Sequence, residues 1–133
     1  MVIVDTSVWV DVFRDSSGKK RKKLERMVDP EDVAITSFTE LELLQGCRNE
    51  KEWKLLASYL ETQDIIDPRR ETWAAAARIY FDLRKKGLTV RSPIDCCIAQ
   101  LALENRMLLL HNDRDFEKIA RIRPLRHKRA WRS

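Results

Sequence analysis

Short, wholly apolar runs of branched side chains alternate along this chain with longer segments whose apolar residues recur at helical spacing. Val2-Ile3-Val4, Val33-Ala34-Ile35-Thr36, Asp64-Ile65-Ile66-Asp67 and the run from Met107 to Leu110 are the short type. Runs of this kind suit strands buried on both faces. Between them the helical pattern takes over. Val8, Trp9, Val12 and Phe13 follow Asp5-Thr6-Ser7, which reads as strand, cap, helix. Lys19 to Val28 carries Leu24, Met27 and Val28 on one face, and Asp29-Pro30 breaks it. Phe38 to Cys47 ends near Gly46, and Glu50 to Leu60 is a further helix. Pro68 stops the third strand, and Arg69 to Lys86 is a long helix closed by Gly87. Ser92-Pro93 opens the next, with Ile94, Ile98, Leu101 and Ala102 as its buried stripe. Phe116 to Ala120 is a short helix, and Leu125 is placed on a last strand.

Strands alternating with helices imply an α/β fold, with a parallel sheet covered on both faces and right-handed crossovers. In such sheets the ligand crevice lies beyond the carboxyl ends of the strands, where strand order reverses. Acids placed just after strands are therefore the first candidates for chemistry.

A length of 133 residues suits one domain, residues 1–133, with a basic tail from about 121 that could be partly disordered. No run of about 18 apolar residues is present to span a membrane. The start, Met1-Val2-Ile3-Val4-Asp5, lacks the basic region of a signal peptide. Cys47, Cys96 and Cys97 are an odd number, with two adjacent, which suits reduced thiols in a cytoplasmic protein. The formal net charge is +5. The basic residues are clumped in Lys19-Lys20-Arg21-Lys22-Lys23, Arg69-Arg70, Arg84-Lys85-Lys86 and a tail holding Arg121, Arg123, Arg126, Lys128, Arg129 and Arg132. Such a field attracts polyanions without reading their sequence, although clumped charge also suits a plain solvated surface.

Asp5 directly follows the first strand, Asp113 lies just past the fourth, and Asp95 sits in the first turn of the Ser92 helix. If the first and fourth strands are neighbours, Asp5 and Asp113 converge at one edge. Gathered carboxylates repel one another unless a cation sits among them, and hard divalent ions prefer oxygen ligands. Each acid also has a structural explanation. Asp5 can cap the helix from Thr6, Asn112 or Asp113 can cap the Phe116 helix, and Ser92-Pro93-Ile94-Asp95 has the pattern of a capping box. On a wheel of Phe38 to Cys47, Leu41, Leu44 and Cys47 set the apolar direction. Glu40 falls nearer that direction than Glu42, so the wheel leaves Glu42 free to face a polar cleft without selecting it.

Val4-Asp5-Thr6-Ser7-Val8-Trp9, Glu42-Leu43-Leu44-Gln45-Gly46, Asp95-Cys96-Cys97-Ile98-Ala99 and Asn112-Asp113-Arg114-Asp115-Phe116 together resemble the PIN-domain nucleases, and among them the VapC toxins of toxin–antitoxin pairs. The resemblance runs from residue 2 to about residue 120. It implies a three-layer α/β/α sandwich whose parallel sheet has strand order 3-2-1-4-5. It implies an endoribonuclease dependent on Mg²⁺ or Mn²⁺, in which Asp5, Glu42, Asp95 and Asp113 are the catalytic acids. Asp5, Asp95 and Asp113 would hold metal, Asp115 would assist, and Glu42, which precedes Gly46 by four residues as in the family, would bind metal through water or orient the attacking water. Ser7 matches a hydroxyl near the metal, and Arg91 and Arg114 are candidates to hold the RNA backbone. The family carries a Thr where this chain has His111-Asn112, and His111 is read here as a strand-end residue. The implied partners are a structured RNA such as tRNA, a VapB-type antitoxin and a second copy of the chain. Trp53, Leu56, Tyr59 and Leu60 could form an apolar surface for the antitoxin, but their spacing favours core.

Other readings are an inactive PIN fold that only holds RNA, a receiver-like signalling domain and a phosphatase of another α/β family. A receiver would need an acidic pair after the first strand, and such a phosphatase a second Asp two residues after the first. Asp5-Thr6-Ser7 supplies neither.

Overall fold

The computed structural model describes residues 1–131. Five parallel strands, β1 (Val2–Val4), β2 (Val33–Thr36), β3 (Asp64–Ile66), β4 (Leu108–His111) and β5 (His127–Arg129), form one sheet in the order β3-β2-β1-β4-β5. Seven helices connect them: α1 (Thr6–Arg14), α2 (Lys19–Met27), α3 (Ser37–Gln45), α4 (Glu50–Glu61), α5 (Arg70–Lys85), α6 (Pro93–Asn105) and α7 (Arg114–Ala120). The order is the one the resemblance implies. It also rules out the receiver reading, whose sheet runs 2-1-3-4-5.

Side chains on a strand alternate between faces, and the central strands show it. Ile3, Ala34 and Leu109, paired in register, join the core under α5, α6 and α7. Val4, Ile35 and Leu110 join the opposite core with Val8, Trp9 and Val12 of α1 and Leu24 of α2. Two cores, one on each face, make three layers. α6 is buried nearly all round, from Cys96 to Ala102, because it packs against the sheet, α5 and α7.

The reversal of strand order falls at β1. β2 pairs on one side of β1 and β4 on the other, so the residues following β1 and β4 emerge side by side. The Asp5 N–H donates to Leu110 O at 2.9 Å and extends that pairing to the first acid.

Four expectations need correction. Leu125, placed on the last strand, instead lies in the core two residues before β5. The apolar direction assigned to the Phe38 helix is wrong: Leu41 is 57 % exposed, and α3 buries Phe38, Thr39 and Leu43 instead. A threonine takes the inward position because its hydroxyl has partners there. On α4 only Leu60 is buried, while Trp53 and Tyr59 are 46 % and 42 % exposed, so the preference for core fails for those two. Finally, the tail is folded through Trp131. β5 pairs with β4, the Ala130 N–H donates to His111 O, and the Trp131 indole N–H donates to Asp11 Oδ2 at 2.9 Å. Trp131 is buried against α1 with Lys20 over its ring. Arg132 lies outside the described residues.

Candidate active site

Every acid singled out in the sequence except Glu42 is set by the end of β1 or β4 or by the first turn of α6 or α7. Asp5 caps α1 and is 3 % exposed. Its Oδ2 accepts from the Ser7 N–H (3.0 Å) and the Ser7 hydroxyl (2.7 Å), while its Oδ1 is buried with no partner. Burial pushes the Asp5 carboxyl up to about 6 against those Ser7 bonds, and the charge of Glu42 adds to the rise. The single Ser7 proton is engaged with Asp5, and its oxygen accepts from the Asn112 N–H at 2.9 Å. Ser7 thus ties the β1 end to the β4 end. The backbone of Asn112 makes this contact, and its side chain donates to Asp11 Oδ2 at 2.7 Å.

Asp95 stands in the first turn of α6, but the cap is Ser92, whose hydroxyl accepts from the Ile94 N–H. No hydrogen bond lowers the Asp95 carboxyl; burial, then the charges of Asp5, Asp113, Asp115 and Glu42, push it up to about 8. That list of charges places all the candidate acids in one field. Oxygens of Asp95, Asp113 and Asp115 lie within 4.8 Å of one another.

Asp113 caps α7, its Oδ1 accepting from the Asp115 N–H. Asp115 is 4 % exposed, and burial would raise its carboxyl. The Arg91 N–H at 2.9 Å and Lys118 Nζ at 3.3 Å outweigh that and hold it below the usual carboxylate range. Arg91 also pairs with Asp113 Oδ2 through Nη2 at 2.6 Å. Arg114 is exposed beside them.

Glu42 is held by a device that the sequence pattern did not reveal. The Thr6 hydroxyl donates to Glu42 Oε1 at 2.7 Å. Thr39 Oγ1 lies 3.0 Å from Thr6 Oγ1 and 3.3 Å from Thr36 Oγ1, and the Thr39 N–H donates to Thr36 Oγ1. Each hydroxyl has one proton to give. The chain therefore runs from Thr36, the buried cap of α3, through Thr39 and Thr6 to the carboxylate. No periodicity could have found it, because it joins the ends of β1 and β2.

His111 is the last residue of β4 and fully buried, as a strand-end residue should be. Its Nδ1 accepts from the Asp113 N–H at 3.1 Å, so its proton sits on Nε2, 3.0 Å from His127 Nδ1. Burial, then the charges of His127 and Arg129, push the ring down to about 4 and keep it neutral. His127 of β5 thereby supports the Asp113 turn, a role invisible in sequence.

The donors at this edge are carboxylate oxygens, the acids share one field, and one buried oxygen of Asp5 has no partner. These features fit a hard divalent cation.

Residues 2–122 match the PIN domain family. The VapC ribonuclease Mb1587 of Mycobacterium bovis and the ribonuclease VapC11 of Mycobacterium tuberculosis are each 35 % identical over 130 residues, covering 92 % of this chain and 93 % of their own. The chain belongs to the VapC ribonucleases of the PIN-domain family. In three dimensions it is similar to a chain of the Rickettsia felis VapBC2 complex bound to a promoter DNA fragment. The TM-score is 0.75 at 23 % identity, over 99 % of this chain and 100 % of that one. The segments that carry the resemblance in sequence are those whose acids meet at the β1–β4 edge of this VapC-type fold.

Proposed function

We propose that this chain is an Mg²⁺- or Mn²⁺-dependent endoribonuclease and the toxin of a type II toxin–antitoxin pair. The observation that carries the reading is the meeting of Asp95, Asp113 and Asp115 at the strand-order reversal, beside an Asp5 oxygen with no partner. Asp5, Asp95 and Asp113 would hold the metal, and Asp115, kept in place by its bonds from Arg91 and Lys118, would assist them. A bound divalent ion would lower the pKa of water and offset charge on the phosphoryl oxygens. Glu42, fixed by the threonine chain, orients the attacking water. Ser7 acts by holding Asp5 in place. Arg91 and Arg114, on the same edge, meet the RNA backbone.

The substrate is a structured RNA such as tRNA, cut in a loop, where unstacked bases are open to recognition. The basic, exposed face of α2 adds long-range attraction. We read residues 1–133 as one PIN domain acting in the cytoplasm and paired with a second copy. Among the described residues no helix is long and apolar enough to cross a membrane. A VapB-type antitoxin is the second partner. Phe13, Trp53 and Tyr59 offer it exposed apolar surface, with Trp9 linking the rings of Phe13 and Tyr59.

The test is incubation of the purified protein with total RNA, with Mg²⁺ or Mn²⁺ and with EDTA, beside Asp5→Asn. Cleavage that needs the metal and is absent in the variant supports the mechanism. Equal cleavage by the variant removes it, and no cleavage by the wild type favours an RNA-binding role. Expression of the chain alone should arrest a bacterial host, and Asp95→Asn should relieve the arrest.

A further inference from the structure

Arg91 has its backbone fixed at the acid cluster and its head in water. Its amide N–H donates to Asp115 Oδ2 at 2.9 Å. Its guanidinium reaches Asp113 Oδ2 at 2.6 Å and Asp115 Oδ2 at 3.4 Å, yet its side chain is 79 % exposed. The pivot is therefore anchored by an amide hydrogen bond that does not depend on where the head lies. An ion pair with so exposed a partner is weak and exchangeable. Its acceptors belong to the same trio, Asp95, Asp113 and Asp115, whose oxygens could hold a metal. A guanidinium and a divalent cation are like charges, and the two cannot share Asp113 without mutual repulsion.

We propose that Arg91 and the divalent cation compete for Asp113, so that metal binding releases the guanidinium to take an RNA phosphate at the same edge. The inference rests on the metal-dependent reading above and adds an order of events to it. Arg91 would lower metal affinity when RNA is absent and raise RNA affinity when metal is present. The forked guanidinium suits both acceptors, since carboxylate and phosphate each take two parallel N–H bonds. Asp115 keeps the Arg91 N–H throughout and stops the segment from drifting away from the site.

The experiment measures Mn²⁺ affinity of the full chain by titration calorimetry, for wild type, Arg91→Gln, Arg91→Lys and Arg26→Gln. Arg26 lies exposed on α2 and controls for the loss of one positive charge anywhere on the surface. Arg91→Gln should bind Mn²⁺ roughly twofold to fivefold more tightly than wild type, the span of a weak ion pair. Arg91→Lys should fall between, and Arg26→Gln should change by less than about twofold because screening separates it from the site. At saturating Mn²⁺, Arg91→Gln should raise KM for RNA more than it lowers kcat. Mn²⁺ affinity equal to or weaker than wild type in Arg91→Gln overturns the competition. Tighter Mn²⁺ with unchanged KM overturns the handover to phosphate. A wild type that binds no Mn²⁺ removes the metal reading itself, a result distinct from either.

Discussion

Asp95→Asn should make the metal-free protein more stable while removing its response to metal. The side chain carries a charge that the fold disfavours: burial and the surrounding acids push its carboxyl from 3.8 up to about 8. The folded form therefore holds a proton that the unfolded form has lost, throughout that window. Stability falls with rising pH wherever the folded state binds more protons, so Asp95 costs nothing near pH 3.8 and most by pH 8. At about 1.36 kcal/mol per pH unit the full span corresponds to about 6 kcal/mol. Water reaching the cleft and relaxation of the neighbouring acids reduce this to about 2 kcal/mol. Asparagine has nearly the same shape and cannot ionise. In EDTA, urea unfolding should show Asp95→Asn ahead by about 0.5 kcal/mol at pH 5 and about 2 kcal/mol at pH 8. The gain at pH 8 corresponds to a melting point higher by roughly 6–10 °C. In Mn²⁺ the order should reverse, because the ion stabilises the wild type through mass action and finds a weaker ligand set in the variant. A variant no more stable than wild type at pH 8 in EDTA, or a difference that does not change with pH, would refute the electrostatic account of this site.

Other expectations bear on the supports of the acids. His127→Phe keeps a ring against His111 but removes the acceptor of its Nε2 proton. Mn²⁺ affinity should drop about tenfold by calorimetry, the usual effect of losing an outer partner; unchanged affinity would mean that β5 does not position Asp113. Thr39→Val interrupts the hydroxyl chain at near-constant volume and should cost about 1–2 kcal/mol in urea unfolding, with kcat falling and KM held. Trp131→Phe removes the bond to Asp11 and should lower stability by about 1 kcal/mol; no change would mean that the C-terminal stretch is not anchored there.

Much of this fold was legible because its signals are local. Short apolar runs mark the strands, and the cap residues Asp5, Ser92 and Asp113 mark where helices begin. Asp5 and Asp113 could be placed from strand ends alone, given one assumption about neighbouring strands that the sheet order bears out. Glu42 could not. Its helix buries Thr39 rather than Leu41, and a wheel weighs hydrophobicity without knowing which hydroxyls will find partners. Trp53 and Tyr59 misled for a related reason: spacing reports a shared face, not what covers it.

The sequence by itself determined the alternation of strands and helices, the basic field and the placing of Asp5 and Asp113 after strands, because side-chain period and cap chemistry act within a few residues. Only the tertiary structure decided what the acids experience. The Asp95 carboxyl is pushed up to about 8 by burial first, and then by four other carboxylates that converge on it from distant segments. Ser7 links two strand ends, His127 reaches Asp113 through His111, and Arg91 lies across Asp113 from 22 residues away. Burial and charge depend on distances in space. Chain order sets those distances only after parallel strands have brought their carboxyl ends to one edge.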